Sequence, residues 1–129
     1  MEFKSKDAIY LQIADYVNEH ILLGRWVVNE KIPSVRELAA DLQVNPNTVM
    51  RTYEHLQQSG VIFNKRGIGF FVAEQAKRHI KKQQRERFLE RDLPEFFRNM
   101  YLLGISPDEI AARYEVYLKE NYTNHEDEL

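Results

Sequence analysis

Apolar positions recur at helical spacing along most of this chain, and in one short stretch they bunch as strands do. Ile9, Ile13, Val17 and Ile21 repeat at four-residue steps, with Ala14 and Tyr16 widening the stripe. Residues 7–23 are therefore expected to form an amphipathic helix, with Asp7 as its N-cap and Gly24 as its stop. Leu38, Ala39 and Leu42 supply a second, shorter apolar face, and Val49, Tyr53 and Leu56 a third. Val61-Ile62-Phe63 and Phe70-Phe71-Val72 suit strands, because β-branched and aromatic residues fit a pleated surface. Between them lies Asn64-Lys65-Arg66-Gly67-Ile68-Gly69, where two glycines allow a tight turn and two cations sit at its tip. Trp26, Tyr53 and Phe71 are assigned to the core.

The ends of these elements are marked by local chemistry. Ser34 followed by Glu37 is a capping box, in which each side chain satisfies the other residue's backbone N–H. Gln43-Val44 is a turn. Asn45 caps the next helix and Pro46 takes its first position, where a missing N–H costs nothing. Gly60 fits just past that helix. Asn29 tolerates positive φ and turns the preceding loop, and Lys31-Ile32 is extended because it precedes Pro33. Two short helices about a tight turn, then a basic hairpin, make a winged helix-turn-helix. The fold class is mostly α with a small β wing.

Downstream the pattern is helical again. Residues 74–91 lack Pro and Gly and carry a thin stripe of Ala76, Ile80 and Phe88. Lys77, Arg78, Lys81 and Lys82 either form a solvated face of a linker helix or add non-specific attraction to DNA. Asp92 is expected to open a further helix that ends at Gly104, with Leu93, Phe96, Phe97, Met100 and Tyr101 on its apolar face. Ser106-Pro107-Asp108-Glu109 is a second capping box. It opens a helix to about Asn121, with Ile110, Tyr114, Tyr117 and Leu118 on one side. Thr123 to Leu129 reads as a disordered acidic tail.

Composition narrows the function. The chain has 129 residues and no Cys, and its four His are scattered, so no metal site or cofactor is implied. No apolar run approaches a membrane span, and Met1 to Lys6 has no signal-peptide core, so a cytoplasmic protein is expected. The net charge of −2 is unevenly spread: residues 1–73 are neutral, 74–91 carry +4 and 92–129 carry −6. The acidic excess therefore does not oppose DNA binding by the first part. No Gly-rich phosphate loop or nucleophile elbow appears, and no enzyme is expected.

Four pieces in order resemble the DNA-binding domain of the GntR family of bacterial transcription regulators. They are Ile9-Tyr10-Leu11-Gln12-Ile13, then Ile32-Pro33-Ser34-Val35-Arg36-Glu37-Leu38-Ala39, then Val44-Asn45-Pro46-Asn47-Thr48-Val49, and Gly67-Ile68-Gly69-Phe70-Phe71-Val72. The resemblance implies a DNA-binding domain over 1–73 and a short helical region over 74–129, similar to the YtrA-like subfamily, whose small tails dimerise. It implies a dimeric, sequence-specific regulator, a repressor, on a palindromic operator. The alternative is a winged-helix module that binds protein instead.

Candidate DNA contacts follow. Asn45, Asn47 and Thr48, at the start of the second helix of the motif, are candidate contacts; Asn47 and Thr48 are suited to base edges, since Asn pairs with adenine. The bland alternative is that Asn45 and Thr48 only cap the helix, but both can hold, because a capped helix end is also where phosphate binds. Arg51, one turn on, suits phosphate, as does Lys65. The resemblance adds Arg36 as a base or phosphate contact, and Arg66 and Gly67 as minor-groove contacts. For the tail, Phe96, Phe97, Met100, Tyr101, Tyr114 and Leu118 are the expected dimer interface, because two short helices cannot hide them alone. Tyr101, Tyr114, Tyr117 and Tyr122 lining a small-molecule effector crevice at the dimer interface is the alternative to plain interface packing.

Overall fold

Buried side chains fall at the predicted helical spacing in each of the first three helices. The structure is a computed structural model that describes residues 7–122. The expectations for the leading hexapeptide and for the acidic tail lie outside the described residues. Two compact units divide the chain, the first ending at Arg85 and the second starting at Glu86.

The first unit holds α1 (Ile9–Leu22), α2 (Val35–Leu42), α3 (Pro46–Gln58), β1 (Ile62–Lys65), β2 (Gly69–Val72) and most of α4 (Ala76–Arg87). Ile13, Val17 and Ile21 of α1 are fully buried against Leu38, Val49, Tyr53 and Leu56. Ile9 departs from its stripe and is 47% exposed. It lies in the first turn, ahead of where α1 meets the core. The cap of α1 is Ala8, which makes no side-chain cap bond, rather than Asp7. Asp7 instead accepts from the Gln12 amide through its backbone carbonyl, at 2.8 Å.

The wing is an antiparallel pair in which Ile62 faces Val72 and Lys65 faces Gly69. The loop before α2 adds a partial third rung: Asn29 N donates to Val72 O and Ile32 N to Phe70 O, both at 2.9 Å. Asn29 makes that bend at φ 65, as expected of it. Strand alternation splits the apolar triplet of β2. Phe70 packs on the core, edge-on to Tyr53 at 5.0 Å, whereas Phe71 stacks on Phe63 on the outer face. Phe71 is thus not the core residue expected. Trp26 does anchor the core edge, stacked on His20 at 5.0 Å, and Tyr16 meets the same imidazole edge-on.

The first core does not close at residue 73. Ala76 and Ile80 of α4 are fully buried in it. α4 packs over the end of α3 so closely that a Cβ on Gly60 would lie 3.2 Å from His79 Cδ2, and Gly60 also has φ +78. The compact boundary therefore falls after Arg85.

The second unit contains a π-helical turn (Phe88–Asp92), α5 (Leu93–Leu103) and α6 (Pro107–Tyr122). Asp92 does not start a helix afresh. It is already helical, makes no side-chain cap, and the Leu93 N–H reaches back to Phe88 O. Pro94 explains the widened turn: it has no N–H to donate, and its ring would crowd the carbonyl four residues back in a regular helix. Gly104 ends α5 in the left-handed region, and the Ser106 hydroxyl accepts from Glu109 N at the start of α6.

Two stability tests follow. Ile80→Ala in the full chain should destabilise the first unit by about 2–5 kcal/mol in denaturant titration, the cost of emptying a buried aliphatic site. A loss under about 0.5 kcal/mol would mean α4 is not part of that core. The second test concerns His20. Burial, and then the Arg25 cation, hold its imidazole below the usual 6.5, and its buried Nδ1 has no hydrogen-bond partner. The folded state thus prefers the neutral ring. Its stabilisation is present above the unfolded value and is lost as pH falls from about 6.5 through the folded value. His20→Phe should flatten that part of the stability–pH curve.

Candidate nucleic-acid interface

The helix-turn-helix is fixed by hydrogen bonds that the local sequence dictates. Ser34 Oγ accepts from Glu37 N at 3.1 Å, and Glu37 Oε1 accepts from Ser34 N at 3.0 Å, which completes the capping box. The Ser34 backbone bond, its hydroxyl and then the Lys31 cation hold the Glu37 carboxyl below its usual range. Gln43 takes the left-handed conformation at φ 57, so α2 stops and the chain turns into α3. Asn45 Oδ1 accepts from Asn47 N at 2.8 Å, and Pro46 follows it as the first helical residue. Asn45 is therefore committed to the cap.

That cap orients what stands beyond it. Asn47, Thr48 and Arg51 line one cleft of about 380 Å³ with Ala8, Ile9 and Tyr10 of the first helix and its lead-in. Asn47 and Arg51 are exposed and Thr48 is half-buried. The Arg51 guanidinium lies 3.9 Å above the Tyr10 ring. Behind this surface, the buried Thr52 hydroxyl donates to Tyr10 O at 2.8 Å, with Thr48 O at 3.1 Å. The middle of α3 is thus tied to the start of α1.

Arg36 and the wing residues do not line that cleft. Arg36 is exposed in the first turn of α2. Lys65, Arg66 and Gly67 form the wing turn, closed by Ile68 N donating to Lys65 O at 2.9 Å, with Gly67 at φ +80. Lys65 lies back over the outer aromatic face, its Nζ 4.4 Å from the Phe71 ring centre. Arg66 is exposed at the turn. The sequence reading missed two residues here. Tyr10 carries Arg51. Lys31 crosses the wing root, where its Cε lies 2.8 Å from the point a Cβ on Gly69 would occupy. The extended reading of Lys31-Ile32 beside a glycine-bearing hairpin was the available signal for Lys31.

In the second unit, no described residue of α5 or α6 is buried. Phe96, Phe97, Met100, Tyr114 and Leu118 line one apolar groove of about 670 Å³, together with Leu93 and Ile110. Tyr101 does not line it and is 85% exposed. Tyr117 opens instead onto a separate cleft of about 460 Å³ with Arg113 and Glu120, and it pairs edge-on with Tyr122. The four tyrosines do not converge on one crevice within a chain.

Comparison with known proteins places these features. Residues 9–72 match the family model for bacterial regulatory proteins, gntR family. A solved GntR-family putative transcriptional regulator from Bacteroides thetaiotaomicron is 51% identical and superposes with TM-score 0.78, covering 88% of this chain and 98% of that one. The HTH-type transcriptional repressor YtrA of Bacillus subtilis (strain 168) is 42% identical over 74 residues, 57% of each protein. A crystal structure of the AraR N-terminal domain in complex with mutant ORR3 has TM-score 0.51 at 28% identity, covering 56% of this chain and all of that one.

The cap bond can be tested without DNA. Asn45→Ala should cost about 0.5–2 kcal/mol of stability in thermal or denaturant unfolding, while Asn45→Asp, which keeps the acceptor, should cost far less.

Proposed function

The chain belongs to the GntR family of bacterial regulatory proteins, and on that premise we propose that it is a sequence-specific DNA-binding repressor that acts as a homodimer on a palindromic operator. The observation that carries this reading is the start of α3. A capped helix end offers Asn47, Thr48 and Arg51 to solvent while Val49, Thr52 and Tyr53 are buried behind them. Asn47 has the donor–acceptor pair that matches adenine in the major groove, and Thr48 can bond a base edge or phosphate. Arg51 and Lys65 serve phosphate, Arg36 a base or phosphate, and Arg66 with Gly67 the minor groove beside the wing. Asn45 contributes by fixing the helix end. ORR3 is an operator, so the AraR domain's complex with its mutant form supports DNA as the partner, and YtrA's name supports repression. A regulator of transcription works where the DNA is, which puts this one in the cytoplasm.

The second unit supports the dimer. Phe96 and Phe97 are 44% and 55% exposed in a single chain, on a helix with no fully buried residue. A second copy laid along the groove would remove that apolar surface from water. It would also double the base pairs read, which one short helix needs for selectivity. Five of the expected interface residues, Phe96, Phe97, Met100, Tyr114 and Leu118, face that groove. Tyr101 has no share in it and would serve only at its rim. An effector has less support, since Tyr114 and Tyr117 open onto different clefts. The protein-binding alternative does not account for an exposed polar helix end in a unit that also exposes Arg36 and Arg66.

The test is selection of duplexes from a randomised library with the full chain, followed by footprinting. A two-fold symmetric sequence should emerge. Arg36→Ala with Arg51→Ala should weaken its footprint by about 1–3 kcal/mol for a base contact, with less for a phosphate contact. A footprint at wild-type concentration would remove both residues from the interface. Phe97→Asp should place a charge in the apolar groove and shift sedimentation from dimer to monomer at micromolar concentration. A wild-type chain that sediments as a monomer there would end the dimer reading.

A further inference from the structure

We infer that Tyr10 is a positioning residue for Arg51, an aromatic platform that orients the guanidinium before DNA arrives. The inference rests on the DNA-binding reading of Arg51 above. Its own ground is the way α3 holds this one side chain. Arg51 Cζ sits 3.9 Å from the Tyr10 ring centre, well inside the range of a cation–aromatic attraction. One turn further along α3, His55 meets the same ring edge-on at 6.0 Å. Between them the Thr52 hydroxyl donates to the Tyr10 carbonyl at 2.8 Å, and Thr52 is fully buried. Residues 51, 52 and 55 therefore fix both the ring and the backbone of Tyr10. The ring is half-buried, while Arg51 is exposed above it.

This arrangement changes what binding costs. An exposed Arg samples many rotamers, and ordering it on a phosphate loses that freedom. A ring already locked to α3 narrows those rotamers in the free protein, so less is lost on contact. The planar guanidinium can stack on the ring and still direct its N–H fork outward. The cleft beside the stack also holds Asn47 and Thr48, so the platform places the cation next to the base-reading side chains. Nothing in this role requires the phenol hydroxyl.

A double-mutant cycle on the full chain tests it. The probe is the duplex recovered from random-library selection by the wild-type protein, and the readout is fluorescence anisotropy, with thermal unfolding run on each variant. Tyr10→Leu should weaken binding about two- to fivefold per half-site, the range of an exposed cation–aromatic contact. Tyr10→Phe keeps the ring and should bind as wild type. In an Arg51→Ala background, Tyr10→Leu should have no further effect. Tyr10→Met keeps an apolar stem on α3 without a π face, and it replaces Tyr10→Leu in the cycle if that variant unfolds. Equal losses from Tyr10→Leu in both backgrounds would overturn the inference, as would a Tyr10→Phe as weak as Tyr10→Leu. Wild-type affinity in Arg51→Ala would remove Arg51 itself from the DNA. Failure of the selection to yield any duplex would instead strike the DNA-binding reading.

Discussion

Tyr53 is the residue on which the first unit depends. Its side chain is fully buried at the middle of α3. Its hydroxyl donates to Pro33 O at 2.7 Å, just ahead of the α2 cap, and its ring meets Phe70 of the wing at 5.0 Å. One side chain thus joins α3, the entry to α2 and the root of the hairpin. Burial, and then the Glu37 charge, push the phenol far above its ordinary range, so it remains a hydrogen-bond donor at any working pH. The Asn47–Arg51 face, Arg36 and the wing turn all grow from those three elements. Their mutual placement is a consequence of packing around Tyr53.

Much of this was legible in the sequence, for a physical reason. Helix ends are decided by bonds spanning two or three residues, so Ser34 with Glu37, Asn45 with Pro46, and the Gln43-Val44 turn could be read locally, though not the left-handed backbone that Gln43 adopts there. What failed depended on faces and tertiary neighbours. Phe70, Phe71 and Val72 are all apolar, and alternation alone could not say which side met the core; the Tyr53 edge contact decides it for Phe70. Ile9 has the spacing of a core residue but sits beyond the end of the core. The thin stripe of α4 was seen, yet not that Ala76 and Ile80 complete the first unit. At the candidate interface, the exposed cations were legible by type. The pairing of Arg51 with Tyr10 joins residues far apart in the chain, and no local pattern announces it.

The second unit poses a different constraint. Its two helices are amphipathic, but the side chains that ought to form a core line an open groove and none is buried. Such a surface is unfavourable in water unless something covers it. A second copy supplies the same residues in self-complementary form, which suits an isologous two-fold interface. The charge distribution agrees with a division of labour. The acidic excess lies in residues 92–129, where it repels phosphate, and the first part carries no net charge to oppose its exposed Arg and Lys side chains.

The central claim is that the capped start of α3, with Arg36 and the wing, neutralises a DNA backbone while reading bases. The salt dependence of binding to the selected duplex measures this most directly. Two copies, each placing two or three cations on phosphates, should give a slope of log affinity against log salt of about −4 to −5. A nearly flat slope would contradict the account, since an apolar or protein-binding surface releases no counterions.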